Sequence, residues 1–207
     1  MTYPSPRKID IPYDVSDIVS HVTYSLILDK AGNVYKFGDF SFGTDGNMGK
    51  LFFKPIKFDT PVIDIAASYS GIYMVTKQGS VYTWGDNTDG MIGLTDKRIY
   101  STPTKLSIDV PIRKIVSSPI LGEVLALSDN GEVYTWGYDV LRKGEDEVLS
   151  RPAVVTLPEN IVEVIVGDLT AYAIAKTGDI FTWGGVINNA QREPQRTPIA
   201  MNYKFAS

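Results

Sequence analysis

The chain has 207 residues, of which 43% are hydrophobic, and its 20 basic and 24 acidic side chains leave a net charge of −4. That is enough apolar material for a sizeable core, while the basic residues form no stripe that could neutralise a nucleic-acid backbone. With no cysteine and one histidine, the chain has no disulfide, no thiolate nucleophile and no thiolate metal site, and a metal cluster would have to be built from carboxylates.

Read from the N-terminus, MTYPSPRKID lacks an apolar signal core. No apolar run approaches a membrane-spanning length and no lipidation cysteine closes the chain, so an intracellular protein without a membrane anchor is expected. Pro6 is the first of five regularly placed prolines: Pro6, Pro55, Pro103, Pro152 and Pro198, at steps of 49, 48, 49 and 46 residues, each precede a short apolar stretch. Further apolar segments lie around Ile18, Ile65, Ile115 and Val164. Each is followed by a heptapeptide of the form G-x-[VI]-[YF]-x-[WF]-G, at Gly32 to Gly38, Gly79 to Gly85, Gly131 to Gly137 and Gly178 to Gly184. The first glycines of these anchors are 47, 52 and 47 residues apart, a period that belongs to stacked supersecondary units.

Within the second repeat the pattern predicts four short strands, at Val62 to Ala66, Ile72 to Thr76, Ser80 to Trp84 and Thr104 to Ile108. Ser68-Tyr69-Ser70-Gly71 reads as the turn between the first two. Alternation puts Val81 and Thr83 on one face and Tyr82 and Trp84 on the other, which suits a sheet held between similar sheets. Trp84, Trp136, Trp183 and Phe37 are expected at equivalent buried positions between sheets. The second anchor glycine marks a turn or close approach that a Cβ would block. A proline at the start of each fourth strand fits an outer edge. Asp86-Asn87-Thr88-Asp89-Gly90 reads as a turn built by Asx side chains rather than a calcium loop, and His21 as a structural residue.

Four-stranded sheets at this period are β-propeller blades. The expected fold is therefore all-β, with four repeats of four antiparallel strands in a single domain, at approximately 7–54, 55–102, 103–151 and 152–201. Gly79 to Leu94, GSVYTWGDNTDGMIGL, resembles the G-x-V-Y-x-W-G-x-N-x-x-G-x-L-G repeat of the regulator of chromosome condensation family. The other repeats are divergent, retaining Gly46-Asn47-Met48-Gly49 in the first and losing the downstream element in the third and fourth. The ring can be an open arc or a small closed propeller. Five proline-led outer strands against four sets of inner strands favour the arc, whose uncovered ends predict self-association or end-on docking.

The residues supply no nucleophile, base or ligand set, so neither an enzyme nor a cofactor is expected. Two loops stand out as partner-binding candidates. The first carries Phe40, Phe42, Phe52 and Phe53; the second is the charged run Arg142, Lys143, Glu145, Asp146 and Glu147. The expected function is a protein-interaction module that binds a macromolecular partner through its loops or blade ends, without direct nucleic-acid or membrane contact. What the resemblance implies as an alternative is guanine-nucleotide exchange on a Ran-like GTPase. A structural role in a larger assembly, viral or effector, is the third reading.

Overall fold

The computed structural model describes residues 11–21, 23–38, 54–56, 58–138, 148–167, 170–184 and 195–201. These form sixteen strands in four antiparallel sheets, with no helix among the described residues. The first blade is β1 (Val15–Ser20), β2 (Tyr24–Asp29), β3 (Val34–Gly38) and β4 (Lys54–Ile56). The second is β5 (Val62–Ala67), β6 (Gly71–Thr76), β7 (Val81–Asp86) and β8 (Ile99–Lys105). The third is β9 (Ile112–Ser117), β10 (Val124–Ser128), β11 (Val133–Tyr138) and β12 (Val148–Val155). The fourth is β13 (Ile161–Val166), β14 (Thr170–Ala175), β15 (Ile180–Gly184) and β16 (Gln195–Met201). Every sheet runs in chain order from its innermost to its outermost strand. The inner strands β1, β5, β9 and β13 are the apolar segments that precede each anchor, and they line a common channel. This is a four-bladed β-propeller arrangement.

Strand register gives each blade a face toward the preceding blade and a face toward the following one, here called leading and trailing. Ile72 pairs with Trp84 and Met74 with Tyr82 on the leading face of the second blade, while Tyr73 pairs with Thr83 and Val75 with Val81 on its trailing face. Tyr73 meets Trp136 of the third blade edge-on, with ring centroids 6.0 Å apart. At the next junction Leu125, Leu127 and Val133 bury against Ala171, Ala173, Phe181 and Trp183. The alternation read from the anchors is therefore the junction itself: the anchor aromatics of one blade pack on the β-branched and aliphatic side chains of the blade before, joined in the second blade by Tyr73. The central strands β6 and β10 are buried on both faces.

The first glycine of each anchor adds a polar link. The carbonyls of Gly32, Gly79 and Gly131 accept the N–H of Val62, Ile112 and Ile161, each opening the next blade's inner strand, at 2.9, 2.9 and 3.0 Å. A Cβ on Gly32 or Gly79 would lie 2.6 Å from Pro61 or Pro111, and all three glycines have positive φ, so only glycine lets the next blade come this close.

Blade packing runs from first to second to third to fourth. Among the described strands, none of the fourth blade packs to a comparable extent on the first. Two expectations need correction. Phe37 is half-buried, unlike the fully or nearly fully buried tryptophans, on the leading face of the first blade, where no described blade precedes it. The fourth strand of the second repeat runs from Ile99 to Lys105 instead of Thr104 to Ile108. Pro103 sits within it, where the ladder slips between Thr83 and Gly85, and Pro152 and Pro198 occupy the matching irregularities of β12 and β16. A bulge on an edge strand absorbs the missing N–H, so proline need not open the strand. The repeat bounds set at Pro55, Pro103 and Pro152 fall within β4, β8 and β12. Pro6 and its apolar stretch through residue 10 lie outside the described residues.

Trp136→Ala should lower unfolding stability by about 3 to 5 kcal/mol, because the ring is fully buried between two sheets. Phe37→Ala should cost only about 1 to 2 kcal/mol, half-buried aromatic area being worth less. Denaturant melting of the two variants checks the ordering, and equal losses would contradict the placement of Phe37.

Candidate protein-interaction surface

Antiparallel pairing places the turn between the first two strands and the connection between the last two at the same end of every blade. Neighbouring blades share that end. The His21 ring lies 6.1 Å from Tyr69, and the hydroxyl of Tyr24 donates to Ser68 O at 3.0 Å, which joins the first and second blades there. Met91, from the connection between β7 and β8, reaches Gly122 in the first turn of the third blade.

That connection shows what the family-like element downstream of the anchor does. Asn87 is fully buried; its Nδ2 donates to Leu94 O at 2.6 Å and Asp96 O at 2.8 Å, and its Oδ1 accepts the Ile92 N–H at 3.0 Å. Gly93 then lies against the Trp136 ring of the third blade. The segment is a clasp across a junction. Asp86 Oδ1 accepts from both the backbone and the hydroxyl of Thr88, at 2.8 and 2.6 Å, which is the Asx turn read from the sequence. Ser68 to Gly71 is the expected strand-to-strand turn, closed by the Ser68 N–H donating to Gly71 O at 2.8 Å.

The exposed surface at this end includes Tyr69, 66% exposed, and Ile120, 63% exposed. The sequence places Tyr69 in the turn between two strands and does not single out Ile120. A large apolar side chain in a turn was the available signal, but spacing alone does not say which turn side chains fold inward. The sequence-derived candidates Phe40, Phe42, Phe52 and Phe53 fall in 39–53, and Arg142, Lys143, Glu145, Asp146 and Glu147 in 141–147, all outside the described residues. The strands that flank them, β3 and β4 in one blade and β11 and β12 in another, open toward this same end.

Behind the loops, the inner strands line an open cavity of about 410 Å³, with Val19, Ile65, Ile115 and Val164 among its walls. One register position on these strands carries charge in every blade: Asp17, Asp64, Lys114 and Glu163. Asp64 accepts the N–H of Ile65 at 3.1 Å through one oxygen and that of Ile115, in the next blade, at 2.6 Å through the other. Lys114 and Glu163 form an ion pair across the third junction. Burial pushes the Asp64 carboxyl up to about 6, against the opposing pull of the two N–H donors and of Lys114, and with a further push from Asp17. Among the described residues no three His, Cys, Asp or Glu side chains gather as ligands for a metal ion. None of the described residues lies in a helix long and apolar enough to cross a membrane.

Four-stranded antiparallel sheets packed face to face around a channel, with loops collected at one end, define a β-propeller repeat protein. Two models of the regulator of chromosome condensation repeat match the chain, at residues 62–90 and 78–118. It is 29% identical over 140 residues to human regulator of chromosome condensation, covering 64% of this chain and 33% of that protein. Human WBSCR16 superposes with a TM-score of 0.79 at 21% identity, over 93% of this chain and 55% of that one. Prp20p from Saccharomyces cerevisiae does so with a TM-score of 0.74 at 20% identity, over 94% of this chain and 52% of that one. The chain spans less than half the length of the curated relatives it matches.

Two measurements follow. Asn87→Ala should cost about 2 to 4 kcal/mol, since it strands buried backbone groups at a junction; thermal or denaturant unfolding reads this directly. Asp64 should titrate near pH 6 by carbon-detected NMR. Its folded pKa lies above the unfolded value of 3.8, so the native state holds the proton more tightly. Its contribution to stability is therefore fully present below about pH 4 and lost as the pH rises through about 6. Wild-type stability relative to Asp64→Asn should fall across that window, and a flat difference would contradict the raised value.

Proposed function

We propose that the chain is a non-enzymatic protein-interaction module that binds a macromolecular partner through the loops at the open end of its blades. The observation that carries this reading is topological. The aromatic 39–53 connection, the charged 139–147 connection and the exposed Tyr69 and Ile120 all issue from one end of a scaffold whose interior is occupied by packing. A rigid stack of sheets that presents loops from several blades together is suited to recognising a broad protein surface. The net charge of −4 and the absence of a basic stripe favour a protein partner over a nucleic acid, and an intracellular location accords with the lack of cysteine.

A second reading is guanine-nucleotide exchange on a Ran-like GTPase. It is favoured by the likeness to human regulator of chromosome condensation and to Prp20p, a protein described by its binding to Gsp1p and histones. The repeat spacing leaves no room for a large inserted wedge, so the interaction reading is the stronger.

Affinity capture from the native cell tests the proposal. A variant with Phe52→Ser, Phe53→Ser, Arg142→Glu and Lys143→Glu, with unchanged circular dichroism, should lose the partner recovered by the wild type. Recovery of the same proteins by both would overturn the loop-face reading. Nucleotide release from a Ran-type GTPase, unchanged by added chain, separates the first reading from the second.

A further inference from the structure

Five of the twelve prolines follow a serine or threonine, at Ser5-Pro6, Thr60-Pro61, Thr102-Pro103, Ser118-Pro119 and Thr197-Pro198. Two of these pairs continue to a basic residue three places after the hydroxyl: Ser5 to Lys8, outside the described residues, and Thr102 to Lys105. Thr60, Ser118 and Thr197 have Ile63, Leu121 and Ala200 at that distance.

The structure separates the described hydroxyls further. Ser118 is fully buried, and its Oγ accepts the Leu121 N–H at 3.2 Å. Thr60 is half-buried and donates to Gln78 Oε1 at 2.8 Å. Thr102 and Lys105 are exposed, and the Thr102 hydroxyl makes no hydrogen bond among the described residues. Its neighbour Thr104 donates its own hydroxyl to Thr102 O, at 3.2 Å.

The backbone around Thr102 is accessible as well. The outermost strand of the second blade, β8, pairs only with β7. The ladder sets Thr83 opposite Thr104 and Gly85 opposite Tyr100, so Ser101, Thr102 and Pro103 together oppose the single residue Trp84. The bulge that accommodates Pro103 therefore takes Thr102 out of the regular ladder while the chain stays extended.

We propose that Thr102 is a phosphorylation site, modified by a proline-directed protein kinase that reads Thr102-Pro103-Thr104-Lys105 along the outer edge of the second blade. Such a kinase takes its substrate as an extended segment. Proline immediately after the acceptor suits a groove that offers no partner to the amide there, because proline has no N–H to leave stranded. A lysine two positions further on supplies a cation for an acidic or phosphorylated part of the kinase surface. In the transfer the Thr102 hydroxyl oxygen forms a bond to the γ-phosphorus of ATP and the bond from that phosphorus to the β,γ-bridging oxygen breaks. ADP leaves, and the hydroxyl proton passes to the kinase's catalytic base.

The product carries about −1.5 to −2 charges at the rim of the blade. Thr102 is exposed and outside the hydrophobic core, so the fold is retained. Negative charge on an outermost strand also discourages edge-to-edge pairing with other strands.

Incubation of the full native chain with a cyclin-dependent kinase and Mg-ATP, followed by mass-spectrometric mapping, tests the site. A Ser5→Ala background removes the other sequence match. In it Thr102 should take up one phosphoryl group, Thr60 and Ser118 should stay unmodified, and circular dichroism should not change. Thr102→Ala should abolish the uptake. Lys105→Ala should lower the kcat/KM of the kinase for the chain by about tenfold, the worth of one charge-assisted contact. Absence of phosphate from Thr102, with the kinase active on a short Ser-Pro-x-Lys peptide, overturns the proposal. So does labelling of Ser118 as fast as Thr102, which would mean that the kinase reads an unfolded chain, or a kcat/KM indifferent to Lys105→Ala. Partner capture by the loop surface involves none of these residues, so the two proposals fail separately.

Discussion

Packing of the anchor aromatics of one blade onto the facing sheet of the blade before is the contact on which the rest of this molecule depends. A four-stranded sheet of this size has two apolar faces and cannot bury either by itself. Each blade therefore depends on the sheets beside it, and the strand alternation Val-Tyr-Thr-Trp is what equips one sheet for a junction on either face. The glycine carbonyl that receives the next inner strand fixes the rotation between blades, since it permits an approach that any side chain would block. Curvature of the arc, position of the channel and gathering of the loops are all consequences of repeating that step.

The same dependence separates the parts that are constrained from those free to vary. Asn87 illustrates the first kind: it lies in a surface connection yet is fully buried, because that connection crosses a junction and closes over Trp136. The third and fourth repeats lack the corresponding asparagine and glycines. Charge inside the channel follows similar logic. Asp64 spends both carboxylate oxygens on backbone N–H groups, one in its own blade and one in the next, so a buried acid serves as a tie between blades at the cost of a raised pKa.

Much of this was legible in the chain. The anchors located β3, β7, β11 and β15; the apolar segments around Ile18, Ile65, Ile115 and Val164 located the inner strands; and the faces of Val81 to Trp84 were assigned correctly. These features are local or periodic, and a period repeated four times averages out the ambiguity of any one copy. The outer strands were shifted because a proline suggests a boundary, whereas a bulge on an unpaired edge can absorb it in mid-strand. Phe37 was misplaced for a different reason. Its position in the motif equals that of the tryptophans, but the motif carries no information about whether a blade precedes it.

The sequence by itself determined that this is a stack of four similar all-β units, which face of each strand is aromatic, and that the chemistry of thiol and histidine clusters is closed to it. Repetition and alternation are properties of the one-dimensional chain, and they fix what each unit needs buried. Only the tertiary structure decided that Asn87 is a clasp, that Asp64 and Glu163 share a charged ring position with Lys114, and that Ile18 and Ile165 remain exposed where their counterparts are buried. Those properties depend on which blade lies next to which, and adjacency arises when sheets meet in space, not from the spacing of residues along the chain.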